Sequence, residues 1–168
     1  MPVPTSGTAT VTTPTDEQIL ITREFDAPKH LVWKAWTTPE LVKRWWSGRR
    51  GEMTQVEIDL RVGGTWRYVM LAHGEFEIAF HGTYREIVPE ERIVTTEVFE
   101  GTPGPSEDAV INIVTFVEED GRTRLDLLVQ CVSKEIRDAI IDSGMEGGMQ
   151  EQMDALEELA ISLAGSSS

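Results

Sequence analysis

The polar residues best placed to do chemistry are Glu97 and Asn112, which fall among apolar residues of two predicted strands. Period-two alternation puts Glu97 on one face with Ile93 and Phe99, and Asn112 with Val114. If this face borders an interior, both groups are costly to bury unless a partner, such as a ligand, satisfies them. Desolvation would then raise the pKa of Glu97 and suit it to general acid–base catalysis, which makes it our catalytic candidate. The alternative is that a register shift exposes the two residues, or that Arg or Tyr side chains satisfy them.

The histidines do not form a pattern typical of a metal site. His30, His73 and His81 fall in different predicted elements, away from Cys131 and from carboxylates at ligand spacing. By alternation His81 faces away from Phe80, and it would reach a pocket only through a bulge. The sequence also lacks a phosphate-cradling loop, a dinucleotide motif and a nucleophile elbow, so we predict no metal and no cofactor.

Composition narrows the class of protein. The 168 residues suffice for one domain, and 40% hydrophobic with 26% charged residues is ordinary for a globular chain. A net charge of −14 disfavours nucleic acid and anionic membrane surfaces as partners. No stretch approaches the roughly 20 apolar residues that span a bilayer. We therefore expect neither nucleic-acid binding nor membrane insertion.

The cysteine content and the N-terminus bear on location. Cys131 is the sole cysteine, which excludes an internal disulfide and favours a small buried thiol in a reducing compartment. The first residues, MPVPTSGTATVTTPT, lack the charged and apolar regions of a signal peptide. We predict a cytoplasmic protein.

The order of predicted elements indicates an α+β fold. A strand at 18–25 precedes two short helices, near 28–36 and 39–46, with Asp26 and Thr38 as expected helix caps. About six further stretches alternate at period two, including 53–60, where Thr54 should share a face with Val56. Ser133 should cap a helical stretch that breaks near Gly144, ahead of a long final helix. We expect a disordered tail at 1–15, one domain at 16–164 and a frayed end at 165–168.

The final helix carries methionines and leucines along one side and must lie across the sheet. One helix gripped by one curved antiparallel sheet tends to leave an apolar pocket, and flexible methionines suit a wall that adapts to a guest. The alternative is that the methionines simply fill the core. Four of the five tryptophans fall on the two short helices, where they pack as core or frame a portal.

Several segments together resemble the START-like (SRPBCC) proteins of the heat-shock-ATPase-activator homologue type. They are ITREFDAP (21–28), VWKAWT (32–37), WW (45–46), GG (63–64), HGTYREI (81–87), ERI (91–93) and GMEGG (144–148). The resemblance covers about residues 17 to 163 and implies the helix-grip fold of the birch-pollen allergen: a curved antiparallel sheet of about six or seven strands around a long C-terminal helix. It implies a deep cavity but not one activity, because relatives include lipid and hormone binders, polyketide cyclases and chaperone-binding domains. Many relatives carry an aromatic residue where this chain has Met149, so the pocket is expected to be reshaped.

The leading hypothesis is therefore a protein that binds a small apolar or aromatic molecule, lipid-, polyketide- or hormone-like, in an internal cavity. Our candidate binding residues are Trp46, Trp66, Tyr68, Met70, Phe80, Tyr84, Glu97, Phe99, Asn112, Val114, Met145, Met149 and Met153. A second hypothesis is a cyclase- or hydrolase-type enzyme that uses Glu97. A third is a module that docks on a chaperone ATPase; it ranks last, because activators of that class usually pair this domain with another and only a short tail precedes it here. Both a monomer and a homodimer are compatible with the sequence.

Overall fold

The fold is known from a computed structural model that describes residues 9–46, 51–72, 74, 76–100, 110–142 and 145–166. Its strands are β1 (Thr10–Thr12), β2 (Gln18–Phe25), β3 (Gly51–Ile58), β4 (Thr65–Ala72), β5 (Phe76–Val88), β6 (Arg92–Thr96), β7 (Val98–Phe99), β8 (Val110–Glu119) and β9 (Arg122–Cys131). Its helices are α1 (Lys29–Thr37), α2 (Pro39–Trp45), α3 (Lys134–Asp142) and α4 (Met145–Ser166). The predicted order of strand, two short helices, strands and long helix is confirmed.

Within the described residues, the strands form one antiparallel sheet in the order β1-β2-β9-β8-β6-β5-β4-β3, with β7 paired to β5. This confirms the predicted α+β helix-grip architecture. The strand number exceeds the predicted six or seven, because the short strands β1 and β7 had no alternation long enough to recognise.

The predicted disordered tail is wrong for residues 10–12. They form β1 and pair with β2, from Thr10 opposite Thr22 to Thr12 opposite Leu20. Ala9, just before β1, is buried and exchanges two backbone hydrogen bonds with the Gln150 side chain of α4. Long-range pairing of this kind leaves no signal in local composition. Residues 1–8 lie outside the described part of the chain.

The helix ends follow the predicted positions but not always the predicted caps. Pro28 is the N-cap of α1 and Thr38 that of α2, and neither helix has a side-chain cap hydrogen bond, so the cap predicted at Asp26 is wrong. Asp26 instead lies 3.4 Å from Arg122 of β9, since a tertiary charge outcompetes the local backbone. Ser133 caps α3 as predicted, accepting from the Ile136 N–H at 3.2 Å.

The long final helix packs its apolar side into the core. The break predicted near Gly144 falls on residues 143–144, which lie outside the described part of the chain between the end of α3 at Asp142 and the start of α4 at Met145. Leu156 and Ala160 of α4 are fully buried. A buried leucine contributes about 2 kcal/mol, so this stripe fixes the helix on the sheet. The helix continues to Ser166, into the end predicted to fray.

One face of the sheet, called here the inner face, points toward α4. Strand register puts on it Ile19, Ile21, Arg23 and Phe25 (β2), Met53 and Val56 (β3), Trp66, Tyr68 and Met70 (β4), Ile78, Phe80, Gly82 and Tyr84 (β5), Ile93 and Thr95 (β6), Asn112, Val114 and Phe116 (β8), and Leu125, Val129 and Cys131 (β9). The inward position predicted for Thr54 is wrong, because a register shift between Met53 and Gln55 leaves Thr54 exposed.

Candidate functional site

The candidate site lies on the inner face where β6 and β8 meet. Thr95 stands opposite Asn112 in the ladder, and the Glu97 N–H continues it by donating to the Val110 carbonyl at 3.0 Å. Asn112 therefore shares a face with the buried Val114, and Glu97 turns to the same side. The Asn112 Nδ2 donates to the Glu97 Oε1 at 3.2 Å, so the two predicted polar residues are brought together.

The surroundings of Glu97 make its charged form less favourable than it is in water. Burial raises the pKa of the Glu97 carboxyl, and the hydrogen bond from Asn112 opposes that rise. A carboxyl group in this setting can hold or release a proton under conditions where an exposed glutamate stays ionised. Electrostatically, Glu97 is thus suited to accept from a guest or to transfer a proton.

Two tyrosines lie on the same face of the sheet as this carboxyl. Burial raises the pKa of Tyr68 well above its ordinary value, with smaller contributions from Tyr84 and Glu97. Burial likewise raises the pKa of Tyr84, and Asp59 adds to that rise. Both hydroxyls are therefore neutral at physiological pH and keep a proton to donate.

An aromatic wall continues the site across β4 and β5. The Trp46 ring, at the end of α2, lies edge-on to Tyr68 and Phe80, with ring centroids 5.3 and 5.4 Å away. Trp66 stands 4.8 Å from Tyr68. The Trp46 carbonyl accepts a hydrogen bond from the Gln152 side chain of α4, which ties α2 to the final helix. Helix, loop end and sheet thus hold these rings at fixed separations.

A glycine makes one contact of this wall possible. The Trp66 Nε1 donates to the Thr96 carbonyl at 3.1 Å, directly beside Gly82. A Cβ at Gly82 would stand 1.9 Å from that carbonyl oxygen and 2.7 Å from the Trp66 Nε1. Glycine is therefore required where β5 passes over the end of β6.

Accessibility separates two parts of the inner face. Ile93 and Val114 are 1% and 2% exposed. On the same face Glu97, Asn112 and Phe80 are only partly buried. Met70 and Ile78, paired across β4 and β5, are partly buried as well. The inner face is thus closed over its centre and only partly closed around the polar pair and the outer part of the aromatic wall.

The remaining candidate residues fall into two groups. Met149, Met153 and Val114 are 5%, 2% and 2% exposed and belong to the closely packed core. Phe99 pairs with Phe80 through its backbone, and Met145 opens α4, but their side chains lie outside the described part of the structure.

Three of the four tryptophans on the short helices pack as core. The rings of Trp33 and Trp36 lie edge-on to Phe116, with ring centroids 5.5 and 6.1 Å apart. The ring centroids of Trp36 and Trp45 are 4.9 Å apart. The Trp45 Nε1 donates to the Ala35 carbonyl at 2.9 Å. Trp46 differs from them, because it alone of the four has its ring contacts on the aromatic wall.

His81 faces outward, as simple alternation predicts. Its Nδ1 lies 2.8 Å from Glu100, which also receives two hydrogen bonds from Arg67 at 2.9 and 3.0 Å. These bonds, chiefly those from Arg67, lower the pKa of Glu100 to about 2. A surface depression of about 350 Å³ beside the cluster is lined by Glu57, Thr65, Trp66, Arg67, His81, Gly82 and Thr83.

The other two histidines do not join this cluster. His30 is exposed, and His73 lies outside the described residues. The described residues form no group of three or more potential metal ligands.

Sequence reasoning missed a buried ionic cluster on the inner face. Arg23 of β2 contacts Asp154 at 2.8 Å and Glu157 at 2.9 Å, both on α4. Glu157 also accepts from the Asp26 N–H at 3.0 Å, so both its oxygens are bonded. The signal was present, because Arg23 occupies an inward position between Ile21 and Phe25 in the alternating strand.

Comparison with known proteins now places the chain. An antiparallel sheet packed against a long terminal helix is the architecture of the helix-grip class. The model of the family "Activator of Hsp90 ATPase homolog 1-like protein" matches residues 26–160, and the chain belongs to this family. A search of curated proteins gives no significant match. Among the described residues no helix is long and apolar enough to cross a membrane.

Solved structures give the same result for the fold. A protein from Rhodobacter sphaeroides is 22% identical with a TM-score of 0.84, over 92% of this chain and 99% of that one. A protein from Mycobacterium smegmatis is 25% identical with a TM-score of 0.80, over 92% and 98%. A protein from Chromobacterium violaceum is 27% identical with a TM-score of 0.75, over 87% and 98%. The chain thus spans nearly the whole length of these proteins.

Proposed function

We propose that this protein binds a small apolar or aromatic molecule between the inner face of the sheet and α4. The observation that carries the proposal is the uneven closure of the inner face. Ile93 and Val114 are sealed, whereas Glu97, Asn112 and Phe80 on that same face are only partly buried. Apolar surface with a few convergent polar groups is the usual composition of a ligand site.

The chemistry of this region supports a guest with an apolar body. Trp46 and Phe80 offer ring surface, and Met70 offers a flexible side chain that adapts to shape. Removing such surface from water contributes roughly 25 cal/mol per Å². Glu97 and Asn112 add orientation, because a guest that bonds to them relieves the cost of holding polar groups in a poorly solvated place.

Trp46 provides a direct optical test. Protein refolded from guanidinium, so that no copurified guest remains, is titrated with the neutral probe N-phenyl-1-naphthylamine while tryptophan emission is followed. We expect saturable quenching at one probe per chain, most of it lost in Trp46→Phe and kept in the matched control Trp33→Phe. The same probe at about 100 times its Kd should add about 2.7 kcal/mol to the free energy of unfolding. A well-folded sample without quenching or stabilisation would contradict the proposal.

Native mass spectrometry of protein purified from its own host addresses the natural guest. An extra mass of a few hundred daltons, stoichiometric and lost on denaturation, would identify the class of molecule. A clean apo mass together with no probe binding would argue for a filled core.

The raised pKa of Glu97 favours one second candidate, a cyclase- or hydrolase-type enzyme in which Glu97 transfers a proton. Any turnover found with a bound guest should fall at least about 100-fold in Glu97→Gln. Full retention of that turnover would remove Glu97 from the chemistry. Docking on a chaperone ATPase stays a prediction of the sequence resemblance, and a pull-down with the purified chaperone tests it.

A further inference from the structure

Most of the remaining hydrogen-bonding capacity of the polar pair lies in acceptor atoms. The Asn112 Nδ2 donates to the Glu97 Oε1 at 3.2 Å, an orientation that turns the amide oxygen of Asn112 away from the carboxylate. An amide oxygen accepts only, and an ionised carboxylate accepts at both oxygens. When Glu97 is ionised, a guest therefore meets two acceptors, the Asn112 Oδ1 and the Glu97 Oε2, together with the one Asn112 Nδ2 hydrogen that is not directed at Glu97.

The other titratable groups near this pair do not reverse that preference. Tyr68 from β4, Tyr84 from β5 and Cys131 from β9 are the ionisable residues on the neighbouring inner-face strands. Burial raises the pKa of each, so all three are neutral, and the charge of Glu97 contributes to the rise at Tyr68 and Cys131. The causes that act on the pKa of Glu97 among the described residues are burial and Asn112, neither of which supplies a positive charge.

We infer that the guest presents an uncharged or cationic hydrogen-bond donor, a hydroxyl or an ammonium group, to the Glu97–Asn112 pair, with its apolar body along Trp46 and Phe80. This inference rests on the proposed binding function and names the chemical class of the guest. A carboxylate guest of the same shape is disfavoured, because it would bring a second negative charge and two more acceptors to a poorly solvated acid. A hydrocarbon fits the wall but leaves the acceptors unsatisfied.

Matched probes separate these classes. Wild-type protein, refolded as above, is titrated with 2-naphthol, 2-naphthylmethylamine, 2-naphthoate and 2-methylnaphthalene, which share one ring system. We expect the alcohol and the amine to bind at least about tenfold more tightly than the carboxylate and the hydrocarbon, the usual value of a hydrogen bond to a charged acceptor. A carboxylate that binds as tightly as the alcohol overturns the inference.

Variants then assign the preference to the pair. In Glu97→Gln the preference for amine over carboxylate should narrow by about tenfold, because the negative charge is gone while the side-chain shape stays. The control Glu119→Gln, an exposed acid at the far end of β8, should keep the wild-type ratios. Unchanged selectivity in Glu97→Gln overturns the inference. Binding of all four probes with equal affinity also overturns the inference but is compatible with the proposed binding function. If none of the probes binds, both the inference and the proposed function are contradicted.

Discussion

Two polar groups point inward from the same face of the sheet, and they are satisfied to very different degrees. Arg23 is fully buried and meets two carboxylates of α4, and Glu157 is held further by the Asp26 N–H. Among the described residues the Glu97 carboxyl accepts one hydrogen bond, from Asn112, and its pKa is raised by burial. The difference teaches where to look for function. Arg23, Asp154 and Glu157, called here the closed cluster, fasten β2 to α4. Glu97 and Asn112, called here the open pair, keep hydrogen-bonding capacity for a guest.

The position of each group fits that division. Arg23 lies between the sealed residues Ile21 and Phe25, whose side chains are 2% and 0% exposed. Glu97 lies beside the partly closed part of the inner face, near Phe80 and Asn112. A charge in a packed core must be paired, because it has no contact with water. A charge at a partly open wall keeps some hydration until a ligand binds to it.

Breaking the closed cluster should have the largest effect. Arg23→Met should lower the free energy of unfolding by about 3–5 kcal/mol, because Glu157 would stay buried without its cation. Urea denaturation monitored by circular dichroism measures this. Arg124→Met, which removes an exposed arginine 3.4 Å from Asp126, serves as the control and should cost less than about 1 kcal/mol.

A double variant sharpens the interpretation. Arg23→Met combined with Glu157→Leu should recover most of the lost stability, because replacing a whole buried ion pair with apolar groups is often neutral. If the single variant loses less than about 1 kcal/mol, the cluster does not fasten α4 to the sheet.

Removing the charge of the open pair should act in the opposite direction. The folded-state pKa of Glu97 lies above its unfolded value, so ionisation opposes folding, and the wild type loses stability as pH rises from about 4.5 through the folded pKa. Glu97→Gln avoids this loss and should be more stable than the wild type at pH 8 by about 1 kcal/mol, the usual size of a single-site effect. The gain should shrink toward pH 4.5.

Guest-free protein is required for that comparison, because a ligand that binds the wild type adds its own stabilisation. A loss of stability in Glu97→Gln at pH 8, with the fold intact by circular dichroism, would mean that Glu97 is as well satisfied as Arg23. The contrast between the two groups would then disappear.

The exposed cluster on the outer face should show the smallest effect. Arg67 and then His81 hold the pKa of Glu100 down to about 2, so its stabilising contribution is present above about pH 4.5 and is lost as pH falls toward 2. The side chains of Arg67, His81 and Glu100 are 37%, 45% and 28% exposed, so solvent screens the pairs. Glu100→Gln should cost less than about 1 kcal/mol at pH 7, and 1 M salt should erase most of it. If Glu100→Gln instead lowered the free energy of unfolding by more than about 2 kcal/mol at both low and high salt, solvent exposure would not explain why this cluster differs from the buried cluster of Arg23.

Local patterns in the sequence predicted most of the elements. Alternation gave β2 at Gln18–Phe25 without error, and the apolar side of the final segment gave the long helix α4. The same alternation put Asn112 on the side of Val114 and His81 on the side opposite Phe80, as the register confirms. It failed at Thr54, since a bulge depends on the partner strand and not on the residues that form it.

The sequence by itself determined the order of elements, the inward set of each regular strand and the family, because periodicity and short motifs are local properties. Tertiary structure alone decided which inward polar residues find partners. Arg23 meets Glu157 across 134 positions of sequence, and Glu97 meets Asn112 across 15. Alternation states only that a side chain points inward; whether it is neutralised or left open there depends on what the rest of the chain brings to the same place.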